Sequence, residues 1–255
     1  MTEFERQKEK EIIENAQLQI VVKSNKLIQD TRYELGTQEQ KLILYFVSLI
    51  KPNFEDFQEF RVDIRHLCQV LGLQGQRQNY ADLKKALKGL ADKSFWISTP
   101  EKEILIRWLE RIEIDKEKTQ VVCRFDDRLK PHLLKLRESF TTYQLCYVLA
   151  LKSKYAIRMY ELFQCYLFRK EFSLTLEELK TMLKINDKYE QYAELNRNVI
   201  KKAVDEINEF TDLIIKYKPY REGKKIVGIQ FTLKYAGDEI TQEIAMEQLR
   251  LEDFT

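Results

Sequence analysis

The amino-acid sequence predicts a helix-rich α+β protein in which one structural unit occurs twice in tandem. Three observations support this prediction: a low content of glycine and proline, an internal repeat, and the same order of apolar patterns in each half. Only seven glycines and four prolines interrupt the 255 residues, which favours long helices and short turns. Hydrophobic residues make up 44% of the chain, enough to build two cores.

The internal repeat relates residues 60–83 to residues 172–195, which align without a gap. A repeat of this kind indicates that one supersecondary unit has been used more than once. The matched pairs are Phe60 and Phe172, Leu67 and Leu179, Leu71 and Leu183, Tyr80 and Tyr192, and Leu83 and Leu195.

The second copy shows its order of elements most clearly. Apolar residues at helical spacing follow Ser153, a residue type that caps helices, and Thr175 with Glu178 forms a capping-box pattern at the start of another helix. The predicted elements are a helix over 155–166, a short strand at 172–174, a helix from 176, a polar turn at 186–191, a helix over 192–208, and strands at 213–217 and 226–235 around a turn with Gly223.

The first copy repeats this order. The pattern Thr37-Gln38-Glu39-Gln40 resembles a capping box at the start of its first helix. The predicted elements are helices over 37–50, 64–71 and 80–93, a short strand at 60–62, strands at 95–98, 104–113 and 120–125, and a further helix over 127–138. A helix-turn-helix followed by a β-hairpin is a winged helix, so the fold prediction is two tandem winged-helix domains.

The domain boundaries follow from the repeat. We predict a charged N-terminal segment over 1–20, a first winged-helix domain over 21–138, a second over 139–236, and an acidic C-terminal tail over 237–255. The tail contains Gln248-Leu249-Arg250-Leu251 and Phe254, which loosely resembles a short motif that docks on the bacterial sliding clamp; an amphipathic tail without that role is the alternative.

Several classes of protein are disfavoured by the composition. No apolar run reaches the roughly 18 residues that a membrane span needs, and the N-terminal segment lacks the apolar core of a signal peptide. The sequence therefore predicts a cytoplasmic protein. The four cysteines are far apart and surrounded by apolar residues, which indicates small buried side chains in a reducing compartment and neither a disulfide framework nor a zinc site.

The sequence also predicts no catalytic activity, no metal and no cofactor. A nuclease that combines a tyrosine nucleophile with a metal ion needs closely spaced metal-binding histidines, whereas His66 and His132 are the only histidines and lie far apart. The chain also lacks the glycine-rich loop with Lys and Ser or Thr that binds nucleotide phosphates.

Nucleic-acid binding is the chemistry that the predicted 192–208 helix favours. Leu195, Val199, Ile200, Ala203, Val204 and Ile207 form its apolar stripe, and the opposite face carries Arg197, Asn198, Lys201 and Lys202 near the front. Arginine and asparagine are side chains that make paired hydrogen bonds to guanine and adenine in the major groove. The alternative is an ordinary solvated helix face.

The predicted hairpin after this helix is strongly basic. Five cations face one anion, Glu222, within ten residues, although the net charge of the whole chain is only +2. Such a hairpin can follow a phosphate backbone; the alternative is an edge strand that lysines protect from aggregation. The candidate binding residues are Lys218, Tyr220, Arg221, Lys224 and Lys225. Lys216 is the remaining cation of this run, and Tyr217 lies between Lys216 and Lys218.

In the first copy the equivalent helix is less distinctive. Lys84, Lys85 and Lys88 follow Arg77, and all four are candidates for phosphate contacts. Gly89 and the lack of an Asn and Arg cluster indicate a less specific role, so a contact with the DNA backbone and a protein interface remain equal alternatives.

Several motifs in order resemble the iteron-type plasmid replication initiators. These are Val22-Lys23-Ser24-Asn25, Leu35-Gly36-Thr37, Glu39-Gln40-Lys41-Leu42, Ser153-Lys154-Tyr155-Ala156, Arg158-Met159-Tyr160-Glu161-Leu162, Glu206-Ile207-Asn208 and Thr211-Asp212. The resemblance extends over residues 20–235.

The resemblance implies a bacterial, plasmid-associated protein that binds repeated double-stranded DNA sites at an origin, promotes opening of the duplex and recruits host proteins such as a helicase or its loader. It also implies a homodimer in equilibrium with monomer, the dimer binding an inverted repeat and repressing its own gene. It assigns DNA contacts to Arg197, Asn198, Lys201 and Lys202, and a role in holding the helix end to the sheet to Glu206–Asn208 and Thr211-Asp212. The alternatives are a winged-helix transcriptional repressor without an initiation role, and a winged-helix pair that contacts only proteins.

Overall fold

The computed structural model describes residues 18–73 and 76–236, apart from the side chains of residues 76–78. The chain divides into two compact units, Met1–Lys154 and Tyr155–Thr255. The predicted N-terminal segment lies almost wholly outside the described residues, and so do the acidic tail from residue 237 and its clamp-like motif.

The elements of the first unit are β1 (Ile20–Ser24), α1 (Asn25–Gln29), α2 (Thr37–Ser48), β2 (Phe60–Asp63), α3 (Ile64–Val70), α4 (Gln76–Asp92), β3 (Ser94–Ser98), β4 (Glu103–Arg107), β5 (Leu109–Asp115), β6 (Gln120–Phe125), a 3₁₀ turn (Asp127–Leu129), α5 (Lys130–Leu133), β7 (Phe140–Gln144) and α6 (Leu145–Ala150). Over the described residues its strands form three antiparallel sheets, of order β1–β7, β2–β6–β5 and β3–β4. The order of helices, strand and hairpin is the predicted winged-helix order.

The first unit continues beyond residue 138, where the sequence prediction ended it. Strand β7 pairs with β1 along its whole length, from Ile20 opposite Gln144 to Ser24 opposite Phe140. The segment after α6 is also held by α2, because Thr37 Oγ1 donates to Lys152 O at 3.2 Å and Gln40 Nε2 donates to Lys154 O at 3.0 Å. These long-range bonds leave no pattern in the local sequence.

Two local predictions in the first unit were wrong. The predicted strand over 104–113 is two strands, β4 and β5, separated at Trp108, which turns into the core with 1% of its surface exposed. The centre of its ring lies 4.8 Å from the centre of the Phe95 ring and 5.1 Å from the centre of the Tyr33 ring. The predicted helix over 127–138 is only the 3₁₀ turn and α5, because the chain leaves the helical conformation at Leu134.

The N-terminus of α2 also differs from its predicted capping box. Gly36 precedes the helix, and Glu39 Oε2 accepts a hydrogen bond from Gly36 N at 2.6 Å, so the pattern begins one residue earlier than expected. Glu39 also forms an ion pair with Lys93. A Cβ atom at Gly89 would overlap the Glu39 carboxylate. Gly89 therefore provides room for this capping carboxylate between two helices.

The second unit is a winged helix on one antiparallel sheet of order β8–β10–β9. Its capping box at Thr175 is confirmed: Glu178 N donates to Thr175 Oγ1 at 3.0 Å, and Thr175 N donates to Glu178 Oε2 at 2.7 Å. The elements are α7 (Lys154–Tyr166), a 3₁₀ turn (Leu167–Arg169), β8 (Glu171–Thr175), α8 (Leu176–Leu183), α9 (Tyr192–Leu195), a π-helical turn (Asn196–Ile200), α10 (Lys201–Phe210), β9 (Leu213–Glu222) and β10 (Lys225–Tyr235).

Elements α9, the π-helical turn and α10 follow each other without a break and are called helix 192–210 below. The sequence predicted a single helix over 192–208, and the apolar stripe of that prediction is confirmed. All six stripe residues are buried, each with at most 3% of its surface exposed. The π-helical turn was not predicted.

The end of helix 192–210 is fixed by side-chain hydrogen bonds of Asn208, in its last turn, and of Asp212, just after it. Asn208 brackets the backbone of Ile215 in β9: its Nδ2 donates to Ile215 O at 3.0 Å, and its Oδ1 accepts from Ile215 N at 2.6 Å. Asp212 Oδ1 accepts from Tyr160 Oη at 2.9 Å and from Gln164 Nε2 at 3.1 Å. The Asn208 bonds confirm that this residue holds the helix end to the sheet, whereas the side chain of Asp212 is bonded to helix α7.

The Asp212 network predicts a pH-dependent difference in stability. Burial raises the pKa of Asp212 above its ordinary value, although the hydrogen bonds from Tyr160 and Gln164 oppose the shift. The folded state therefore takes up a proton more readily than the unfolded chain, and this group contributes stability at acid pH that is lost as pH rises through its folded pKa. Relative to an Asp212→Asn variant, the natural chain should gain melting temperature as the pH falls from 7 toward 4.

The measurement is the melting temperature of both proteins across that pH range. An Asn208→Ala variant is the control, because it removes an uncharged anchor and its difference from the natural chain should not vary with pH. A constant difference between the natural chain and Asp212→Asn would contradict the prediction.

Candidate nucleic-acid interface

Helix 192–210 presents a cationic face on the side opposite its buried stripe. Arg197, Lys201 and Lys202 are exposed, and Asn198 is half-buried. These four residues are called the recognition face below. Their position follows from the 3.6-residue period, since burying the stripe turns the intervening residues toward solvent.

One cation of the recognition face is partly neutralised. Lys201 Nζ lies 2.5 Å from Asp205 Oδ2 one turn further along, and both side chains are more than half exposed. The ion pair raises the pKa of Lys201 and keeps it charged. Asp205 therefore places a negative charge beside the cations that the sequence singled out.

The hairpin after this helix is the wing. Its loop consists of Gly223 and Lys224, and Gly223 has a φ of 60°, a conformation that favours glycine. Arg221 Nη1 donates to Lys224 O across the loop at 3.3 Å. Residues Arg221–Lys225 are called the wing tip below, and all of them are exposed.

The strand period divides the predicted wing residues between two faces of the sheet. Ile215 and Tyr217 of β9 face helix 192–210, because Tyr217 Oη donates to Asn196 Oδ1 at 2.8 Å and Ile215 is bound by Asn208. Side chains alternate along a strand, so Lys216, Lys218 and Tyr220 lie on the opposite face. By the same alternation Arg221 lies on the sheet face that is turned toward helix 192–210, and Lys218 and Tyr220 lie on the other face.

Tyr220 has a structural neighbour on that opposite face. It pairs with Gly228 of β10, where a Cβ atom would overlap the Tyr220 ring, and the register shifts by one residue just before this pair. The ring therefore covers the glycine backbone at the bulge, which strengthens the local twist of the wing. Tyr220 shapes the hairpin whatever else it contacts.

The wing and the corresponding hairpin of the first unit differ in charge. Within the described part of the chain, the side chains of Lys216, Lys218, Lys224 and Lys225 form no ion pair. In the β5–β6 hairpin, by contrast, Arg111 is paired with Glu59 and Glu113, and Arg124 with Glu110 and Asp127. The second wing has cations available for an external anion, whereas the arginines of the first hairpin already have acidic partners.

Helix α4 of the first unit carries the remaining candidates. Lys84, Lys85 and Lys88 are exposed. Lys88 forms an ion pair with Asp92, and Lys84 Nζ lies 5.7 Å from the centre of the Tyr80 ring. The side chain of Arg77 lies outside the described residues. Among the described side chains, Lys85 is the candidate of this helix with neither kind of neighbour.

The two histidines are in separate places and have different partners. His66 Nε2 lies 3.0 Å from Tyr45 Oη, and His132 Nδ1 lies 3.0 Å from Ser24 Oγ. Burial lowers the pKa of both histidines, and nearby Lys26 lowers that of His132 further. Over residues 18–73 and 76–236, His, Cys, Asp and Glu form no group of three or more that could hold a metal ion. All four cysteines are free thiols.

The sequence does not indicate the hydrogen bond between Asn196 and Tyr217. Its pattern marks Tyr217 only as an aromatic residue among cations and does not distinguish Asn196. The alternation of β9 could have indicated that Tyr217 points inward with Ile215, but the partner on the helix depends on tertiary packing.

None of the described helices is long and apolar enough to cross a membrane.

Comparison with known families identifies the group to which the chain belongs. The family model described as "Initiator Replication protein, WH1" matches residues 20–164, more than half of the chain, and the model described as "Initiator Rep protein, WH2" matches residues 175–233. The chain belongs to the initiator replication protein family. Its two winged-helix units correspond to the WH1 and WH2 domains of that family.

Individual relatives agree with this assignment. A replication initiation protein of Escherichia coli is 28% identical over 204 residues, which make up 76% of this chain and 63% of that protein. The chain therefore spans less than two thirds of that relative's length. The Pi initiator protein, in a crystal structure of its complex with iteron DNA, matches with a TM-score of 0.71 and 21% identity over 87% of this chain and 99% of that chain. The structural similarity supports the fold.

Proposed function

We propose that this member of the initiator replication protein family is a plasmid replication initiator that binds repeated double-stranded DNA sites at an origin. The observation that carries the proposal is the recognition face, a set of exposed Arg and Lys side chains with the half-buried Asn198, on a helix whose other side is buried. The hairpin that Tyr217 joins to this helix ends in a wing tip whose lysines form no ion pair within the described residues. The family membership and the Pi initiator, solved with iteron DNA, support the proposal.

The residues divide into two roles. Arg197 and Asn198 read bases, since a guanidinium and an amide can each make two hydrogen bonds to one base edge in the major groove. Lys202, Lys224 and Lys225 bind phosphates, and Lys201 does so when it leaves Asp205. In the first unit Lys85 contacts the backbone, with Lys84 and Lys88 contributing less because each already has an intramolecular neighbour.

Lys218 and Tyr220 have a smaller part in DNA binding than the sequence pattern predicts. Both lie on the sheet face turned away from helix 192–210, so a duplex held by the recognition face meets the wing tip first. Their contribution is to the shape and general charge of the wing.

Three further activities complete the proposal. Binding at several sites promotes opening of the origin, and the bound protein recruits a host helicase or its loader. A homodimer in equilibrium with monomer represses the chain's own gene through an inverted repeat. The exposed Trp96, opposite Leu105 in the β3–β4 hairpin, supports a self-association surface, because two adjacent apolar side chains are 55% and 43% exposed there.

Footprinting on the DNA that flanks the gene tests the proposed function. Two winged-helix units that reach successive major grooves should protect about 20 base pairs per monomer, since one turn is about 10–10.5 base pairs. Repeated protected sites at an origin are expected. A single inverted site at a promoter would instead favour the transcriptional repressor, and site-specific nicks after addition of magnesium or manganese would favour an enzyme.

The Arg197→Ala variant tests the proposed reading of bases, and the measurement is its affinity for the cognate site and for an unrelated duplex. Removing the paired hydrogen bonds to a base should cost about 1–3 kcal/mol of binding free energy at the cognate site, with little change on unrelated duplex. Arg169→Ala is the control, because it removes an exposed arginine of the same unit outside the helix and wing. Equal cognate affinity for Arg197→Ala and the natural chain would contradict the proposed reading of bases.

The wing predicts a change in salt dependence. Replacing Lys224 and Lys225 by glutamine should reduce the slope of log affinity against log salt by about one for each phosphate that is no longer bound, with little change in sequence preference. Lys234→Gln is the matched control, since Lys234 is an exposed lysine at the other end of the same strand β10. If the salt slope were unchanged after Lys224 and Lys225 were both replaced by glutamine, the wing tip would not contact the duplex.

Removing the charge of Asp205 should have the opposite effect to removing the lysines: it should increase the salt dependence of DNA binding. An Asp205→Asn variant frees Lys201 and removes a negative charge that repels phosphates, so it should bind unrelated duplex more tightly and with a steeper salt slope. Glu209→Gln is the control, because Glu209 is an exposed acid of the same helix that lies eight residues beyond Lys201, about 12 Å along the helix axis. Weaker binding of unrelated duplex by Asp205→Asn would refute this prediction.

A further inference from the structure

A single asparagine connects helix 192–210 to the wing. Asn196 Oδ1 accepts a hydrogen bond from Tyr217 Oη at 2.8 Å. The main-chain oxygen of the same residue accepts from Lys201 N, five residues ahead, which is the hydrogen bond that defines the π-helical turn. Asn196 thus contributes its side chain to the wing and its backbone to the turn that carries Arg197 and Asn198.

Tyr217 is held in a fixed direction by the sheet. It pairs with Phe231 of β10, and the centres of the two rings lie 6.2 Å apart. Partial burial raises the pKa of Tyr217, so its hydroxyl remains protonated and can donate throughout the physiological range. A rigid strand therefore presents a fixed donor to Asn196.

This hydrogen bond is a polar anchor between the front of helix 192–210 and β9. A second anchor is the pair of bonds from Asn208 to Ile215 at the far end of the helix. Within the described contacts, loss of the Asn196 anchor leaves the apolar stripe as the main attachment of the front of the helix. Because apolar contacts are not directional, the stripe resists separation more than rotation. Arg197 and Asn198, which adjoin Asn196, are the residues that such a rotation displaces.

We propose that Asn196 and Tyr217 are positioning residues that set the sequence specificity of the recognition face; this rests on the proposed DNA-binding function. Paired hydrogen bonds to a base edge weaken steeply when donors are misaligned. The attraction of lysines to phosphates falls only slowly with distance. Misalignment of the π-helical turn therefore lowers binding to the cognate site and leaves binding to unrelated duplex nearly unchanged.

The test is a Tyr217→Phe variant, which keeps the ring against Phe231 and removes only the hydroxyl. Its affinity is measured for a duplex protected in the footprint and for an unrelated duplex of equal length. The ratio of the two affinities should fall about threefold to tenfold, the effect of one ordinary hydrogen bond. Adding Asn196→Ala to Tyr217→Phe should lower the ratio little further, because both substitutions remove the same bond.

Tyr45→Phe is the matched control. It removes a hydroxyl that lies 3.0 Å from His66 Nε2 in the first unit, outside both helix 192–210 and the wing. Its affinity ratio should equal that of the natural chain. An unchanged ratio for Tyr217→Phe, or an equal loss on both duplexes, would overturn the positioning role.

The Arg197→Ala variant separates this proposal from the proposed function. If Arg197→Ala lowers cognate binding and Tyr217→Phe leaves the ratio unchanged, the positioning role is wrong and the reading of bases by helix 192–210 stands. If Arg197→Ala has no effect on cognate binding, the proposed function of the recognition face fails, and the positioning role fails with it.

Discussion

Burial of one side of helix 192–210 is the constraint on which the second unit depends. Its six apolar stripe residues are almost fully removed from water. Burying a valine, leucine or isoleucine side chain stabilises the fold by roughly 1.5–3 kcal/mol. Several such contributions together fix the orientation of the helix. The opposite side must then face solvent. Arg197, Lys201 and Lys202 are exposed as a direct consequence of that packing.

The polar contacts that refine this orientation are mostly uncharged. Asn196, Asn208 and Tyr217 join helix and wing through neutral hydrogen bonds, and only Lys201 with Asp205 forms an ion pair among the described residues there. Exposed ion pairs weaken in salt, whereas neutral hydrogen bonds are little affected. The geometry of the recognition face should therefore be insensitive to salt, whereas the attraction to phosphates that we propose for it depends strongly on salt.

Two copies of one topology have acquired different electrostatics. The arginines of the β5–β6 hairpin are neutralised by acids from neighbouring segments, such as Glu59, while the lysines of the second wing have no such partners in the described structure. This local asymmetry explains why a net charge of only +2 is compatible with a basic wing. The average charge of a chain says little about a binding surface a few residues wide.

The sequence by itself determined the repeat, the winged-helix order of both units, the buried stripe of helix 192–210 and the capping box at Thr175. Each is a local or periodic feature, and hydrophobic period and capping chemistry act over a few residues. Only the tertiary structure decided that β7 pairs with β1, that Trp108 divides a predicted strand, and that Glu39 occupies the space beside Gly89. It also decided that Tyr217 meets Asn196 while Lys218 and Tyr220 lie on the other face of the sheet. These features depend on which distant segments pack together, and no periodicity along the chain records such contacts.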